Sequence, residues 1–162
     1  MSGDNLKNAI QSAKKISKND MLLDAKKARA EGLKLVESSK ICLLGTNGGD
    51  GFPNIKAMLN LKHEGLKKVW FSTNTSSRRV QQILKDGRAC VYYVDEKNFK
   101  GLMLTGTIEV CQDLESRKLL WTEGAEVYYP LGVEDPDYSV LCFSAQRGNY
   151  YHGLSNMDFD IQ

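Results

Sequence analysis

The chain has 162 residues, of which 41% are hydrophobic and 26% are charged, a composition that predicts one compact domain. Its 22 basic and 20 acidic side chains give a net charge of +2, which argues against a dedicated nucleic-acid-binding protein. The sequence contains no apolar run of the roughly 18 residues that a membrane span needs. Its first residues also lack the apolar core of a secretory signal. These features favour a cytoplasmic protein with no membrane or nucleic-acid partner.

The positive charge is concentrated before residue 123. Residues 1–122 carry 21 basic and 13 acidic side chains, whereas residues 123–162 carry seven acidic side chains and one basic side chain, Arg147. Any anion-binding chemistry is therefore expected in the first three quarters of the chain.

Cysteines and histidines are few and scattered. The four cysteines stand singly in apolar segments and never form a C-x-x-C pair, which predicts free buried thiols. The two histidines, His63 and His152, lie far apart in unrelated contexts. The sequence therefore predicts neither a histidine-based metal site nor a Cys–His nucleophilic pair.

The chain begins with a polar segment and a helix. Residues 1–20 carry few large apolar groups and are expected to form a flexible N-terminal arm. From Met21, apolar residues recur at helical spacing among good helix formers, which predicts an amphipathic helix to about Ser38.

Six segments have the composition of β-strands: residues 41–46, 55–61, 68–73, 88–94, 99–110 and 138–146. A helix is predicted between the third and fourth strands, starting near Ser76 and ending at Asp86, and another over residues 114–121. Because the strands are closely spaced and show little βαβ alternation, we expect a mainly β fold with α elements, an antiparallel six-stranded barrel with peripheral helices. The domain is expected to span residues 21–153 and to leave residues 154–162 as a C-terminal tail.

One face of the second predicted strand is entirely apolar. It consists of Ile55, Ala57, Leu59 and Leu61. Because side chains alternate along a strand, this face is expected to join the core and Lys56 to lie on the opposite face.

The segment from Thr73 to Arg79 carries the strongest chemical signal. Hydroxyl residues stand where a helix begins, so unpaired backbone N–H groups and the positive end of the helix dipole lie beside them. Arg78 and Arg79 follow at once, although arginine in a first turn is mildly unfavourable to the dipole. Such a corner can bind a phosphate. The alternative is a simple N-cap at Ser76 or Ser77 followed by a solvated arginine pair.

Three segments together resemble the pyridoxamine 5'-phosphate oxidase-like, FMN-binding split-barrel superfamily, in its bacterial general stress protein branch. They are residues 56–62, residues 70–80 and residues 87–89, and the most specific part is Thr73-Asn-Thr-Ser-Ser-Arg-Arg79. The resemblance implies a homodimeric split β-barrel with FMN at the subunit interface. Lys56, Ala57, Met58, Leu59, Phe71, Ser72, Thr73, Ser77, Arg78 and Arg79 would then bind the cofactor, with the last three at the phosphate.

Departures from the oxidase pattern leave the activity open. The oxidases place a glutamine that reaches the partner's flavin where this sequence has Gly101, and Arg147 and His152 do not match the spacing of their substrate-binding segment. The first expectation is a flavin-dependent oxidoreductase reduced by NAD(P)H or another small reductant. The alternatives are a non-catalytic flavin-binding stress protein and, with less support, a true pyridoxamine phosphate oxidase. A deazaflavin or haem in place of FMN also stays open.

Overall fold

A computed structural model describes residue 4 and residues 6–8, 10–11 and 23–162. The N-terminal arm expected over residues 1–20 lies largely outside the described residues, as do Met21 and Leu22. Within residues 23–162 there are three α-helices, α1 (Ala25–Ser38), α2 (Arg78–Lys85) and α3 (Leu114–Leu120). The strands of the same region are β1 (Ile41–Asn47), β2 (Pro53–Leu59), β3 (Lys62–Glu64), β4 (Lys68–Asn74), β5 (Arg88–Asp95), β6 (Lys100–Cys111), β7 (Tyr138–His152) and β8 (Ser155–Asp160).

The strands form one curled antiparallel sheet in the order β2-β1-β5-β6-β7-β4-β3, and β8 pairs with β7. The long strand β7 pairs with β4 along its first half and with β8 along its second half. A β-bulge interrupts the register of β6 and β7 between Thr105 and Gly106. At the bulge, a Cβ on Gly106 would lie 2.0 Å from the carbonyl oxygen of Ser144, so the two backbones can approach only because this residue is glycine. The mainly β, split-barrel expectation is thereby confirmed.

The strand count and the C-terminal boundary differ from the expectation. The short strand β3 pairs with β4, and residues 155–160 form β8 instead of a free tail. The alternation of Met157 and Phe159 with polar residues is the local signal for β8, but it is only six residues long. Pairing with β7 decides the outcome, because Phe159 becomes buried against the backbone of Gly148. The domain therefore extends beyond residue 153.

The interior of the half-barrel holds the main hydrophobic core. Strand residues such as Phe71, Leu104 and Phe143 are fully buried there, and α1 and α2 each contribute one apolar face. A second, smaller cluster lies on the other face of β4 and β7, where α3 and the following loop cover Tyr138 and Val140. Because β4 and β7 are covered on both faces, they form the most enclosed part of the sheet.

The buried hydroxyl group of Tyr150 is expected to destabilise the fold. The side chain is fully buried, and its Oη has no hydrogen-bond partner within the described residues. An unsatisfied buried polar atom costs about 1–3 kcal/mol. Tyr150→Phe should therefore raise the free energy of unfolding by about 1 kcal/mol, which chemical denaturation would measure.

The pH dependence of this effect has a defined sign. Burial raises the pKa of Tyr150 to about 12, from 10.0. Stability that depends on the neutral phenol is complete below pH 10 and is lost as the pH rises towards 12. The advantage of the phenylalanine variant should thus grow over that range. Tyr138→Phe is the matched control and should destabilise, because the hydroxyl of Tyr138 donates to the carbonyl of Arg117 at 3.2 Å. Equal effects of the two substitutions would contradict the assignment.

Candidate functional site at the β4–α2 corner

A tight turn connects β4 to α2 and sets the direction of the helix. The N–H of Ser77 donates to the carbonyl of Asn74 at 3.1 Å. Ser77 is the N-cap of α2, and its Oγ accepts from the N–H of Val80 at 3.3 Å. The interpretation of Ser77 as an N-cap is therefore correct, and its hydroxyl oxygen already has one helix N–H as a partner. The N–H groups of the first helical residues remain as potential donors to an anion.

Asp137, which stands just before β7, binds three consecutive residues of this turn. Its carboxylate accepts from the Ser76 N–H at 2.7 Å and from Asn74 Nδ2 at 2.9 Å. Its carbonyl accepts from the Thr75 N–H at 2.7 Å. The hydrogen bonds from Asn74 and Ser76 hold the pKa of the Asp137 carboxyl below its usual range, so the group is ionised at neutral pH.

Arg79 is the cation that the turn directs inward. Its Nη1 donates to the sulfur of Met58, on β2, at 2.8 Å. Burial lowers the pKa of the guanidinium, and its Nε is buried without a hydrogen-bond partner within the described residues. Because each guanidinium can donate five hydrogen bonds, Arg79 retains capacity for an acceptor at this position.

Lys56 lies on the strand face that carries this contact. Met58 is two residues after Lys56 along β2. Asn54 is two residues before Lys56, and its side-chain amide donates to Gln82 of α2 at 3.1 Å. Since residues two apart share a strand face, Lys56 extends on the side of the sheet where α2 packs. The positive charges of Lys56, from β2, and Arg79, from α2, therefore lie on the same side of the sheet.

Arg78 extends away from Arg79. Consecutive helical residues point about 100° apart, and Arg78 is exposed. It lines a cleft of about 390 Å³ between α2 and the β1–β2 hairpin, together with Gly48, Lys85 and Asp86. The two arginines of the predicted phosphate site are therefore on different sides of the helix N-terminus.

The side chains of the predicted residues on β4 do not share one surface. Phe71 and Thr73 are buried on the face that packs into the half-barrel. Ser72 lies on the opposite face, because side chains alternate along the strand. Any ligand contacted by all three residues would have to use the main chain of β4.

The predicted orientation of β2 is wrong. Met58 is buried, whereas Ile55 is 60% exposed and Leu59 is 59% exposed. Lys56 therefore lies on the inward face and the apolar residues lie outward. The alternation correctly indicates two chemically different faces, but it carries no information on what covers the apolar one. We name the outward apolar residues of this part of the sheet the outer apolar face: Ile41, Ile55, Ala57, Leu59, Leu61, Val94 and Met103.

Gly101 is covered by two tyrosines. A Cβ at this position would lie 2.2 Å from the ring of Tyr151 and 2.7 Å from the hydroxyl of Tyr92. The two hydroxyls are hydrogen-bonded to each other at 2.9 Å. A glutamine like that of the oxidases could not occupy this position without displacing Tyr151.

Asp137 is the corner residue that the sequence patterns did not identify. The acidic run containing Glu134, Asp135 and Asp137 indicates only an exposed loop or a weak cation site. In the structure Asp135 is buried. Asp137 contacts Ser76, which precedes it by 61 residues in the sequence. No local signal predicts a pairing over that distance.

The described residues carry neither a membrane-spanning helix nor a cluster of metal ligands. Within residues 23–162 and the few described residues before them, no helix is long and apolar enough to cross a membrane. The same part of the chain contains no group of three or more His, Cys, Asp or Glu side chains that could hold a metal ion.

The chain is similar to known proteins over most of its length. The family model described as "Pyridoxamine 5'-phosphate oxidase like" matches residues 27–161. A Clostridium acetobutylicum protein related to general stress protein 26 of B. subtilis, of the pyridoxinephosphate oxidase family, is 56% identical, with a TM-score of 0.76. That alignment covers 86% of this chain and 97% of the other. No curated protein sequence matches significantly.

More distant solved structures share the fold. General stress protein 26 from Bacillus anthracis str. Sterne has a TM-score of 0.68 at 15% identity, over 82% of this chain and 98% of its own. A heme binding protein from Mycobacterium smegmatis has a TM-score of 0.65 at 17% identity, over 86% of this chain and 59% of its own. The family match and the 56% identical relative carry the assignment. The chain therefore belongs to the pyridoxamine 5'-phosphate oxidase-like family.

Proposed function

We propose that the chain binds FMN at the β4–α2 corner and acts, as a homodimer, as a flavin-dependent oxidoreductase. The observation that carries the proposal is the half-buried guanidinium of Arg79, which lies at the N-terminus of α2 and retains an unpartnered Nε within the described residues. Membership of the family supports a flavin as the ligand.

The residues of the corner fit a phosphate monoester. Arg79 offers a guanidinium, the first residues of α2 offer their N–H groups, and Lys56 extends from the face of β2 that carries Met58. Oriented N–H groups and fixed cations are the donors that phosphates prefer. Arg78 would join from the far side of the helix N-terminus. The main chain of β2 from Ala57 to Leu59 would lie along the rest of the cofactor, because only Met58 of these residues faces the corner.

When bound, FMN would supply the electron-transfer chemistry itself, and the chain would position it and shield it from water. NAD(P)H or another small reductant would be the electron source. Among the described residues of the corner, none stands out as an acid or base required for electron transfer. The proposed role of the chain is therefore to bind and orient the cofactor.

A second copy of the chain is proposed as the other wall of the site. The outer apolar face is contiguous. Ile41 pairs with Leu59, and Leu43 and Tyr92, which lie on the same side of the sheet, connect Ala57 to Met103 through successive strand pairs. Large contiguous apolar surfaces on a folded protein indicate an interaction site. Because β2 is the edge strand of the sheet, a second copy that buries this face would reach the same free edge from which Lys56 extends on the opposite side.

Absorption spectroscopy tests the proposal. The purified protein, reconstituted with FMN and freed of excess ligand, should show a flavin spectrum corresponding to about one FMN per chain, which bleaches when NADPH is added without oxygen. Failure to retain any FMN would contradict the proposal. Bound flavin that NADPH cannot reduce would indicate a non-catalytic flavin-binding protein. Absorption bands of haem or a deazaflavin in the untreated protein would indicate that this cofactor is bound instead of FMN. Formation of pyridoxal phosphate would indicate a true oxidase.

A further inference from the structure

The acidic loop before β7 is built to hold the β4–α2 corner. Asp135 is buried, and its carboxylate accepts from the N–H of Leu131 at 3.2 Å and of Asp137 at 2.9 Å. The Tyr138 N–H donates to the carbonyl of Asp135 at 3.0 Å. This internal network fixes the backbone of Asp137, and the hydrogen bonds from Asn74 and Ser76 fix the direction of its carboxylate.

Asp137 anchors the turn between β4 and α2 through hydrogen bonds. Its carboxylate and carbonyl together satisfy Asn74, Thr75 and Ser76, the three residues before the N-cap of α2. A second bond in the same place joins the hydroxyls of Thr75 and Ser139 at 2.6 Å. Charge-assisted hydrogen bonds such as those of Asp137 are stronger than bonds between neutral groups.

We propose that Asp137 is a positioning residue for the cofactor phosphate, which acts by fixing the turn that aims Arg79. This inference rests on the proposed function. Asp137 contacts the corner from the residue just before β7, whereas Arg79 extends from the other side towards Met58 on β2. Because the Asp137 carboxylate is negatively charged and can only accept hydrogen bonds, it organises the donors of the turn instead of binding the phosphate itself.

The test compares two flavins that differ only in the phosphate. Affinities for FMN and riboflavin are measured by flavin fluorescence for the wild type, Asp137→Ala and Asp137→Asn. Asp137→Ala should weaken FMN binding about tenfold and leave riboflavin binding within about twofold. Asp137→Asn should retain most of the FMN affinity, because its amide oxygen can still accept from Ser76 and the Asn74 amide can rotate.

A control variant has the same change of charge at another place. Asp158→Ala removes an exposed carboxylate of β8 that accepts from Asn149 at 2.7 Å, and it should change neither affinity. An FMN affinity of Asp137→Ala equal to that of the wild type, or an equal loss of both flavins, would overturn the positioning role.

Hydrogen exchange separates this inference from the proposed function. Amides of residues 75–80 should exchange at least about tenfold faster in Asp137→Ala than in Asp158→Ala, because the turn loses its anchor. If the wild type binds neither flavin, the proposed function fails, and the exchange rates alone decide whether Asp137 positions the corner. Unchanged exchange over residues 75–80 would overturn that role.

Discussion

Replacing Arg79 by alanine should lower the affinity for FMN by roughly 10- to 100-fold, since a hydrogen bond to a charged group contributes about 1.5–3 kcal/mol. The side chain is half-buried and its Nη1 contacts Met58, so a phosphate held by it would be partly shielded from water. The loss should therefore exceed that of an exposed arginine. Binding measured by flavin fluorescence or calorimetry checks the prediction.

Two further variants sharpen the result. Arg79→Lys keeps the charge but not the planar fork, and it should recover only part of the affinity. Arg88→Ala is the control, because Arg88 is an exposed arginine that pairs with Asp86 at 2.7 Å beyond the end of α2. Arg79→Ala should also fold normally, because it removes a guanidinium whose Nε is unsatisfied within the described residues. If the Arg79→Ala variant binds FMN as tightly as the wild type does, Arg79 does not contribute to the site.

Replacing Ile55 by aspartate should abolish the proposed homodimer. Ile55 is 60% exposed in the single chain and belongs to the outer apolar face on the edge strand β2, opposite Gly45 of β1. A carboxylate buried there without a partner would cost several kcal/mol, which corresponds to at least a 100-fold weaker association. The fold of each chain should be retained, since the substituted side chain contributes little to the core of the monomer.

Sedimentation equilibrium with and without FMN measures this change. Leu154→Asp is the control, because Leu154 is 94% exposed and lies outside the outer apolar face. If FMN lies between two copies, the Ile55 variant should lose FMN affinity together with dimerisation. A monomeric wild type, or a dimeric Ile55→Asp variant, would show that this face is not the dimer interface.

Local patterns were sufficient for most elements of the fold. The start of α2 at Arg78 follows from the hydroxyl residues before it and from the helical spacing of Val80 and Ile83. The long strand β6 follows from the alternation of its side chains. In these elements short-range periodicity and capping agree with the packing that stabilises them, so a local window of sequence is enough to predict them.

Contacts between distant segments decided what the patterns could not. The strand β8 exists because β7 extends far enough to pair with it, and Asp137 meets Ser76 only because β7 lies beside β4. A hydrogen bond between residues so far apart in sequence depends on the topology of the sheet, which no local window contains.

The amino-acid sequence by itself determined that β2 has one apolar and one mixed face, that a capped helix follows β4, and that two arginines stand at its start. The tertiary structure decided that Met58 faces inward, that Arg79 and Arg78 diverge, and that Asp137 holds the turn. The physical reason is that periodicity records the difference between two faces of an element, whereas packing against neighbouring strands selects which face is buried.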